Sequence, residues 1–321
     1  MKYNYDIAFI IPAYNVGAFI GEAIESILIQ TNVNSQIIIV NDGSTDNTID
    51  VCTEYLRKYS NINLINKRNE GVSIARNIGL EHVDAEYICF MDGDDIYLED
   101  FAYNFLTICR KNNLDIIRGQ YTYFGDGIKG YPIPSKTISA GVPMIGRDFL
   151  HRSLFERVNE VVTVLGFYRT DYLRSINVKY PPGVTYTEDQ IVHLKTLLNK
   201  NCRIMDIECC FYGYRVRSGS ACNSGFSIKK VYDIVNITKL EIALISDFPD
   251  CREDILRFAS GTASQVFAFY KIGNNSERKE TLTILYQLDL LDLIRYSYVH
   301  NHRIKFAIAK WMPSILNLIY K

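Results

Sequence analysis

Through the first 120 residues, short apolar runs alternate with stretches that repeat every three to four positions. The runs at 7–11, 36–40, 62–65, 86–91 and 115–120 read as strands, and the stretches at 18–30, 45–59, 72–82 and 98–112 as helices. Ile20, Ala23, Ile24, Ile27 and Leu28 mark one apolar face on the first helix. Strands joined by helices of this length need crossover connections, so the pattern predicts an α/β fold with a mostly parallel sheet flanked by helices. From 125 to 146 the chain is loop-like, and a mixed segment continues to Cys222. Beyond Phe226 the periodicity is helical, at 231–245, 254–270 and 277–296. The expected division is a domain over 1–222, with parts at 1–120 and 121–222, followed by a helical region over 223–321.

Open parallel sheets bind ligands beyond the carboxyl ends of their strands. Three loops at that edge are polar: Pro12-Ala13-Tyr14-Asn15, Asn41-Asp42-Gly43-Ser44-Thr45-Asp46 and Asp92-Gly93-Asp94-Asp95. The first is neither GxGxxG nor a P-loop, so the usual backbone cradles for phosphate are missing. A sheet that holds a nucleotide diphosphate without them needs another positive charge, most simply a divalent metal.

Composition narrows the field. With 48% hydrophobic residues, 22% charged residues and a net charge of −1, the chain is neither disordered nor a strongly basic nucleic-acid binder. Eight scattered cysteines include no CxxC pair, which argues against zinc. Thiols without a leader-like N-terminus predict a reducing, cytoplasmic setting. No run reaches the roughly 18 apolar residues of a spanning helix.

Asp92, Asp94 and Asp95 place three carboxylates at a strand end, and Gly93 permits the tight turn that lets Asp92 and Asp94 converge. Hard cations such as Mn²⁺ or Mg²⁺ suit such oxygen ligands. The plainer alternative is a strand-to-helix turn with Asp95 as N-cap. In the second loop, Asp46 or Thr45 is placed to cap the next helix, leaving Asp42 to accept a bond from a base or sugar.

Ile10-Ile11-Pro12-Ala13-Tyr14-Asn15, Ile39-Val40-Asn41-Asp42-Gly43-Ser44-Thr45-Asp46 and Asn69-Glu70-Gly71-Val72-Ser73-Ile74-Ala75-Arg76-Asn77 resemble successive signatures of family 2 glycosyltransferases. Phe90-Met91-Asp92-Gly93-Asp94-Asp95 resembles the family's DXD element, and Thr187-Glu188-Asp189-Gln190 its Glu-Asp motif. Tyr214-Arg215-Val216-Arg217-Ser218-Gly219-Ser220 resembles the segment that closes its catalytic domain. The resemblance implies a GT-A fold, a nucleotide-sugar donor with UDP as the expected carrier, and inversion at the anomeric carbon. It puts Pro12, Ala13, Tyr14, Asn15, Asp42, Asn69, Arg76, Asp92, Gly93 and Asp94 around the donor. Tyr14 lies against the base, Asp42 bonds it, and Arg76 faces the nucleotide. Asp92 contacts ribose or metal, Asp94 holds Mn²⁺ or Mg²⁺ on the diphosphate, and Asp189 is the base. The acceptor implied is a hydroxyl of a saccharide, free or lipid-linked, in surface polysaccharide synthesis.

Alternatives stand beside several of these roles. Glu188 and Asp189 are about 100° apart on a helix, so one of them is expected to have another job, such as capping or holding the acceptor. Together they also read as an ordinary acidic first turn. Arg76 reads equally as a solvated helical arginine. Arg215 and Arg217, with Ser220 beyond them, form either a lid on the diphosphate or a structural strand. Phe167, Tyr168, Tyr180 and Tyr186 are open to packing or to stacking on a sugar. For the whole protein, the rivals are a nucleotidyltransferase and a catalytically silent sugar-nucleotide-binding or scaffold protein.

The last 27 residues, 295–321, carry five Lys/Arg and no Asp or Glu, so a body of −6 joins a tail of +5. Ile304, Ile308, Trp311, Met312, Ile315 and Ile319 recur at near-helical spacing, broken by Pro313. Such a tail suits contact with the inner face of a membrane, or packing against this chain or a second copy of it in a homo-oligomer.

Overall fold

The structure, a computed structural model, describes residues 2–98, 100–125, 137–156, 163–217, 225–287, 290–297 and 300–311. Its centre is a mixed sheet. Strands β1 (Tyr5–Ala13), β2 (Ser35–Asp42), β3 (Ile62–Lys67) and β4 (Ala85–Phe90) pair in parallel in the order β3-β2-β1-β4. In β2, the run from Gln36 to Asp42 is buried at every position, because helices cover both faces. Those helices are α1 (Ile20–Leu28), α2 (Thr48–Lys58) and α3 (Val72–Glu81). Ile20, Ala23, Ile24 and Ile27 form the buried stripe of α1, as their spacing predicts. Gly79 lets α3 lie close on β1: a Cβ there would stand 2.4 Å from Cγ2 of Ile10.

The other half of the sheet mixes directions. After the short β5 (Ile96–Tyr97), helix α4 (Ala102–Asn112) leads into β6 (Ile116–Phe124), which runs four residues past the predicted end. Then follow β7 (Met144–Ile145), α5 (Gly146–Glu156), β8 (Gly166–Arg169), α6 (Thr170–Ser175), α7 (Glu188–Leu198) and β9 (Arg203–Arg215). Strand β8 joins the halves, antiparallel to both β4 and β6. Strand β9 pairs in parallel with β6, with register shifts between Arg118 and Tyr121, and antiparallel with β5 and β7. The carboxyl ends of β1, β2, β4 and β6 therefore open on one edge.

Helices α8 (Ile228–Ala243), α9 (Arg252–Ser264), α10 (Val266–Ile272), α11 (Asn275–Gln287) and α12 (His300–Trp311) complete the described chain. The expected single helix over 254–270 is divided at Gln265. That over 277–296 ends at Gln287 and is followed by a 3₁₀ turn, Leu290–Tyr296. Ile237 of α8 and Ile255 and Phe258 of α9 belong to the main core. Val231, Ile234, Leu256 and Phe267 anchor a second apolar cluster. Helices α8 and α9 thus serve both cores. Cys52, Cys89, Cys109, Cys202 and Cys251 are buried, and burial pushes the Cys52 thiol up to about 12, so these residues act as small core hydrophobes.

Between α8 and α9 lies an acidic side chain with no exposure. Glu241 Oε1 accepts a 2.9 Å bond from Thr262 Oγ1, and Oε2 has no partner among the described residues. Burial holds this carboxyl well above its ordinary 4.5. The folded protein keeps a proton that the unfolded chain releases, so from about pH 4.5 upward Glu241 costs stability, at up to about 1.4 kcal/mol per pH unit. Glu241→Gln, which mimics the neutral acid, should be more stable than the native protein at pH 8 and nearly equal at pH 4. Denaturant titrations at both pH values check this.

Candidate active site

The first two loops are clasped before any ligand arrives. Asn15 adopts a left-handed φ of +50°; its N–H donates to Ser44 Oγ at 3.0 Å, and its Oδ1 accepts the Thr45 N–H at 2.8 Å. Asp46 Oδ1 accepts the Thr48 N–H and its Oδ2 the Gly17 N–H, each at 3.0 Å, so Asp46 stitches both loops; the N-cap of α2 is Asn47, not the expected Asp46 or Thr45. Tyr14 stands on this clasp with half its surface exposed. Its open ring is free to cover a flat ligand. Pro12 and Ala13 are buried at the end of β1.

Asp42 is not open in the way its sequence position suggests. Its carboxylate is buried and accepts bonds from Lys67 Nζ (2.5 Å), Glu70 N–H (2.9 Å) and Gly71 N–H (2.8 Å). It therefore shapes the Asn69-Glu70-Gly71 turn, and Gly43 permits the fit: a Cβ there would meet Asn69 N at 2.7 Å. Asn69 itself is exposed at the rim. Lys67 was not singled out from sequence, although it sits directly opposite Asp42 in the β2–β3 register.

Arg76 gathers the rest of the site, and its solvated reading is overturned, since only 3% of the residue is exposed. Nη2 donates to Asp92 Oδ1 at 2.8 Å, and Nη1 donates to Glu188 Oε1 at 2.6 Å and Asp189 Oδ1 at 3.4 Å. The guanidinium lies 5.2 Å from the Tyr180 ring centroid. Three carboxylates keep it protonated despite burial. Its contacts are thus with protein acids, and it links the loop after β4 to the start of α7.

Glu188 and Asp189 are neighbours in the first turn of α7, and both carboxylates bond the same Nη1 of Arg76. Burial pushes the Glu188 carboxyl above its ordinary 4.5, against the pull of Arg76 and helped by the Asp189 charge. Asp189 is fixed from the other side: Thr163 N–H donates to Oδ2 at 3.1 Å and Thr163 Oγ1–H to Oδ1 at 2.9 Å. Tyr180 Oη–H in turn donates to Thr163 Oγ1 at 2.9 Å. Thr187, just ahead of the pair, has φ +62°, a conformation that costs a β-branched residue about 1–3 kcal/mol.

In the acidic loop, Asp95 is the buried member. Its Oδ2 accepts from Tyr212 Oη–H at 2.6 Å and its Oδ1 from Arg215 N–H at 2.7 Å. It caps no helix, since β5 follows it directly. Burial, with the charges of Asp92 and Asp94, holds its carboxyl well above 3.8. Gly93 is buried beneath them.

Arg215 belongs to β9; its Nε donates to the Asp94 carbonyl at 2.6 Å and its Nη2 pairs with Glu22 at 2.5 Å. Arg217 Nε donates to Asp94 Oδ2 at 2.7 Å. Both cations therefore reach the acidic loop. Ser220 lies outside the described residues.

Among the described residues, no group of three or more His, Cys, Asp or Glu side chains converges as a self-sufficient metal site. Asp92 Oδ2 and Asp94 Oδ1 accept no hydrogen bond among the described residues, and hard oxygens suit Mg²⁺ or Mn²⁺. The donor set fits a cation whose remaining ligands are water and the phosphates of a bound nucleotide. It does not fit one caged by protein alone.

The aromatic candidates for sugar stacking separate. Phe167, Tyr168 and Tyr180 are buried in the core, and Tyr186 packs edge-on against Phe269. Thr163 and Tyr212 hold the site but gave no sequence signal, since each sits in an apolar stretch. At the C-terminus, α12 buries Ala309, pairs Lys310 with Asp292, and leaves Ile304 and Trp311 exposed; 312–321 lie outside the described residues. No helix among the described residues is long and apolar enough to cross a membrane.

Comparison with known proteins places these features in context. The family described as "Glycosyl transferase family 2" matches residues 8–177. The uncharacterised glycosyltransferase EpsJ of Bacillus subtilis is 39% identical, with 97% of this chain and 94% of that protein aligned. The minor teichoic acid biosynthesis protein GgaB of the same organism is 45% identical over 36% of this chain, which spans only 13% of GgaB. Among solved structures, residues 1–349 of S. aureus TarS, in complex with UDP-GlcNAc, superpose with a TM-score of 0.75 at 17% identity. That match covers 95% of this chain and 87% of the TarS chain.

Proposed function

The chain belongs to glycosyl transferase family 2 and is a glycosyltransferase; on that premise we propose that it moves a sugar from a UDP-sugar to a hydroxyl of a saccharide acceptor, with inversion. The observation that carries this reading is Arg76, one guanidinium bonded to both the donor-side Asp92 and the acceptor-side Asp189. UDP-GlcNAc in TarS supports a UDP carrier, and GgaB supports a cell-surface polymer as the destination.

Breaking the sugar–phosphate bond puts negative charge on the departing diphosphate. Asp94 and Asp92 would hold Mn²⁺ or Mg²⁺ there, which when bound supplies Lewis-acid stabilisation of that charge. Tyr14 covers the base, and the Asp42-shaped turn, with Asn69 at its rim, walls the nucleotide. Arg215 and Arg217 steady the acidic loop and add positive charge beside the phosphates. Asp189, aligned by Thr163, takes the proton of the attacking hydroxyl. Glu188 keeps Arg76 in place instead of sharing the proton transfer. The enzyme works in the cytoplasm, and α12 with its exposed Trp311 and neighbouring Arg303, Lys305 and Lys310 meets anionic headgroups at the membrane face.

Incubation of the purified protein with UDP-GlcNAc and Mn²⁺ should release GlcNAc slowly to water. EDTA should reduce the rate at least tenfold, and added Mn²⁺ or Mg²⁺ should restore it. Absence of both hydrolysis and thermal shift with every nucleotide sugar tried would overturn the reading.

A further inference from the structure

A row of tyrosines rises from the acidic loop along the sheet. Its root is Tyr212, which is buried; its Oη accepts the Asp92 N–H at 3.3 Å and its hydroxyl donates to Asp95. Register places Tyr121 opposite Tyr212 and Tyr123 opposite Tyr214, so all four share one face of β6 and β9. The Tyr121 and Tyr123 ring centroids are 5.4 Å apart at 88°, with their hydroxyls 3.5 Å apart; Tyr123 and Tyr214 are 5.6 Å apart at 90°. Burial falls along the row: Tyr121 and Tyr214 are half-buried, and Tyr123 is 40% exposed.

The face they occupy is also fixed by contacts. In β8, Phe167 packs on Phe105 of α4 while the next residue, Tyr168, donates its hydroxyl proton to the carbonyl of Thr163, the residue that holds Asp189. In β9, Phe211 packs on the same Phe105, so Tyr212 points away from α4, to the side of Asp189. The tyrosine row therefore extends from the loop proposed to hold the donor along the side that carries the proposed base.

We propose that Tyr121, Tyr123 and Tyr214 form the surface on which a pyranose ring of the acceptor saccharide lies. This rests on the transferase reading and adds to it the place and chemistry of acceptor binding. A pyranose offers apolar C–H faces and a rim of hydroxyls. Perpendicular phenol rings offer flat apolar walls with hydroxyls at their ends, which matches both. Rings held by neighbouring rings also lose little rotamer freedom when a ligand lands on them.

The test uses the full-length protein, UDP and a panel of pyranose tetrasaccharides of gluco, galacto and N-acetylglucosamine type, with ribitol as an open-chain control. Saturation-transfer NMR should show C–H contact from at least one tetrasaccharide and at least a fivefold weaker signal from ribitol. Tyr123→Ala should weaken the tetrasaccharide signal at least fivefold, Tyr214→Ala should act likewise, and Tyr123→Phe should retain it. Melting of the exposed Tyr123→Ala variant within about 2 °C of the native protein reports an intact fold. Binding of no tetrasaccharide, equal binding of ribitol, or an undiminished signal in Tyr123→Ala would each overturn the proposal. Donor hydrolysis by the native protein needs no acceptor, so it reports on the transferase reading separately.

Discussion

Asp189→Asn should lower kcat by about two to four orders of magnitude, the range general-base catalysis contributes, while donor affinity stays within about threefold. The amide is isosteric and its carbonyl oxygen can still accept from Thr163, so the loss reads proton acceptance and not collapse of the site. Neutral Asn also leaves Arg76 bonded to Asp92 and Glu188, which keeps the hub in place. Steady-state transfer measured beside donor titration checks both halves. A silent binding protein would be indifferent to the change. Full-rate transfer by the Asn variant would remove Asp189 from the mechanism.

Arg76→Met should cost about 3–5 kcal/mol of stability, because removing one member of a buried ionic cluster strands the others. Three carboxylates would lose their shared cation. The cost should grow as pH rises from about 5 to about 8. Glu188 already sits above 4.5 through burial, and Arg76 is the group that pulls it down. Without that pull the folded variant retains protons that its unfolded chain releases, so its stability falls through this window. Denaturant titrations across the range should show the gap from the native protein widening. Arg76→Lys should recover part of the stability and little of the turnover. One ammonium carries the charge but cannot span two sides of the site as a planar fork does. A gap that stays constant with pH would mean that Arg76 acts through packing alone.

Local pattern carried the first half of the fold. Apolar runs such as Ile37-Ile38-Ile39-Val40 and the stripe Ile20, Ala23, Ile24, Ile27 are short-range signals, and the strands and helices they predict are where they fall. Polar loops at strand ends marked the acidic loop and the loop that carries Asn15 for the same reason, though not the clasp that Asn15 makes. The burial of Arg76 left no such trace, since its partners Asp92, Glu188 and Asp189 are brought together by the fold. A buried arginine and a solvated one have the same letter and the same helical spacing. Asp42 looked open because the turn that saturates it, Asn69-Glu70-Gly71, belongs to another crossover. The tyrosine row was hidden because the apolar run reads as a strand only to Gln120, and because nothing local shows that Tyr121 and Tyr123 lie opposite Tyr212 and Tyr214, some ninety residues later.

The pairing of β5 with β9 has a consequence for synthesis of the protein. Ile96 lies opposite Gly213, and Asp95 is held by Tyr212 and by the N–H of Arg215, more than a hundred residues later in the chain. On the ribosome, strands β1 to β4 can pair as they emerge, because their partners lie close in sequence. The acidic loop cannot be anchored until Arg215 has left the exit tunnel. A growing chain therefore carries a formed sheet with an unfinished ligand loop for much of its translation. Its power to engage a sugar nucleotide should switch on late and abruptly, near the end of β9.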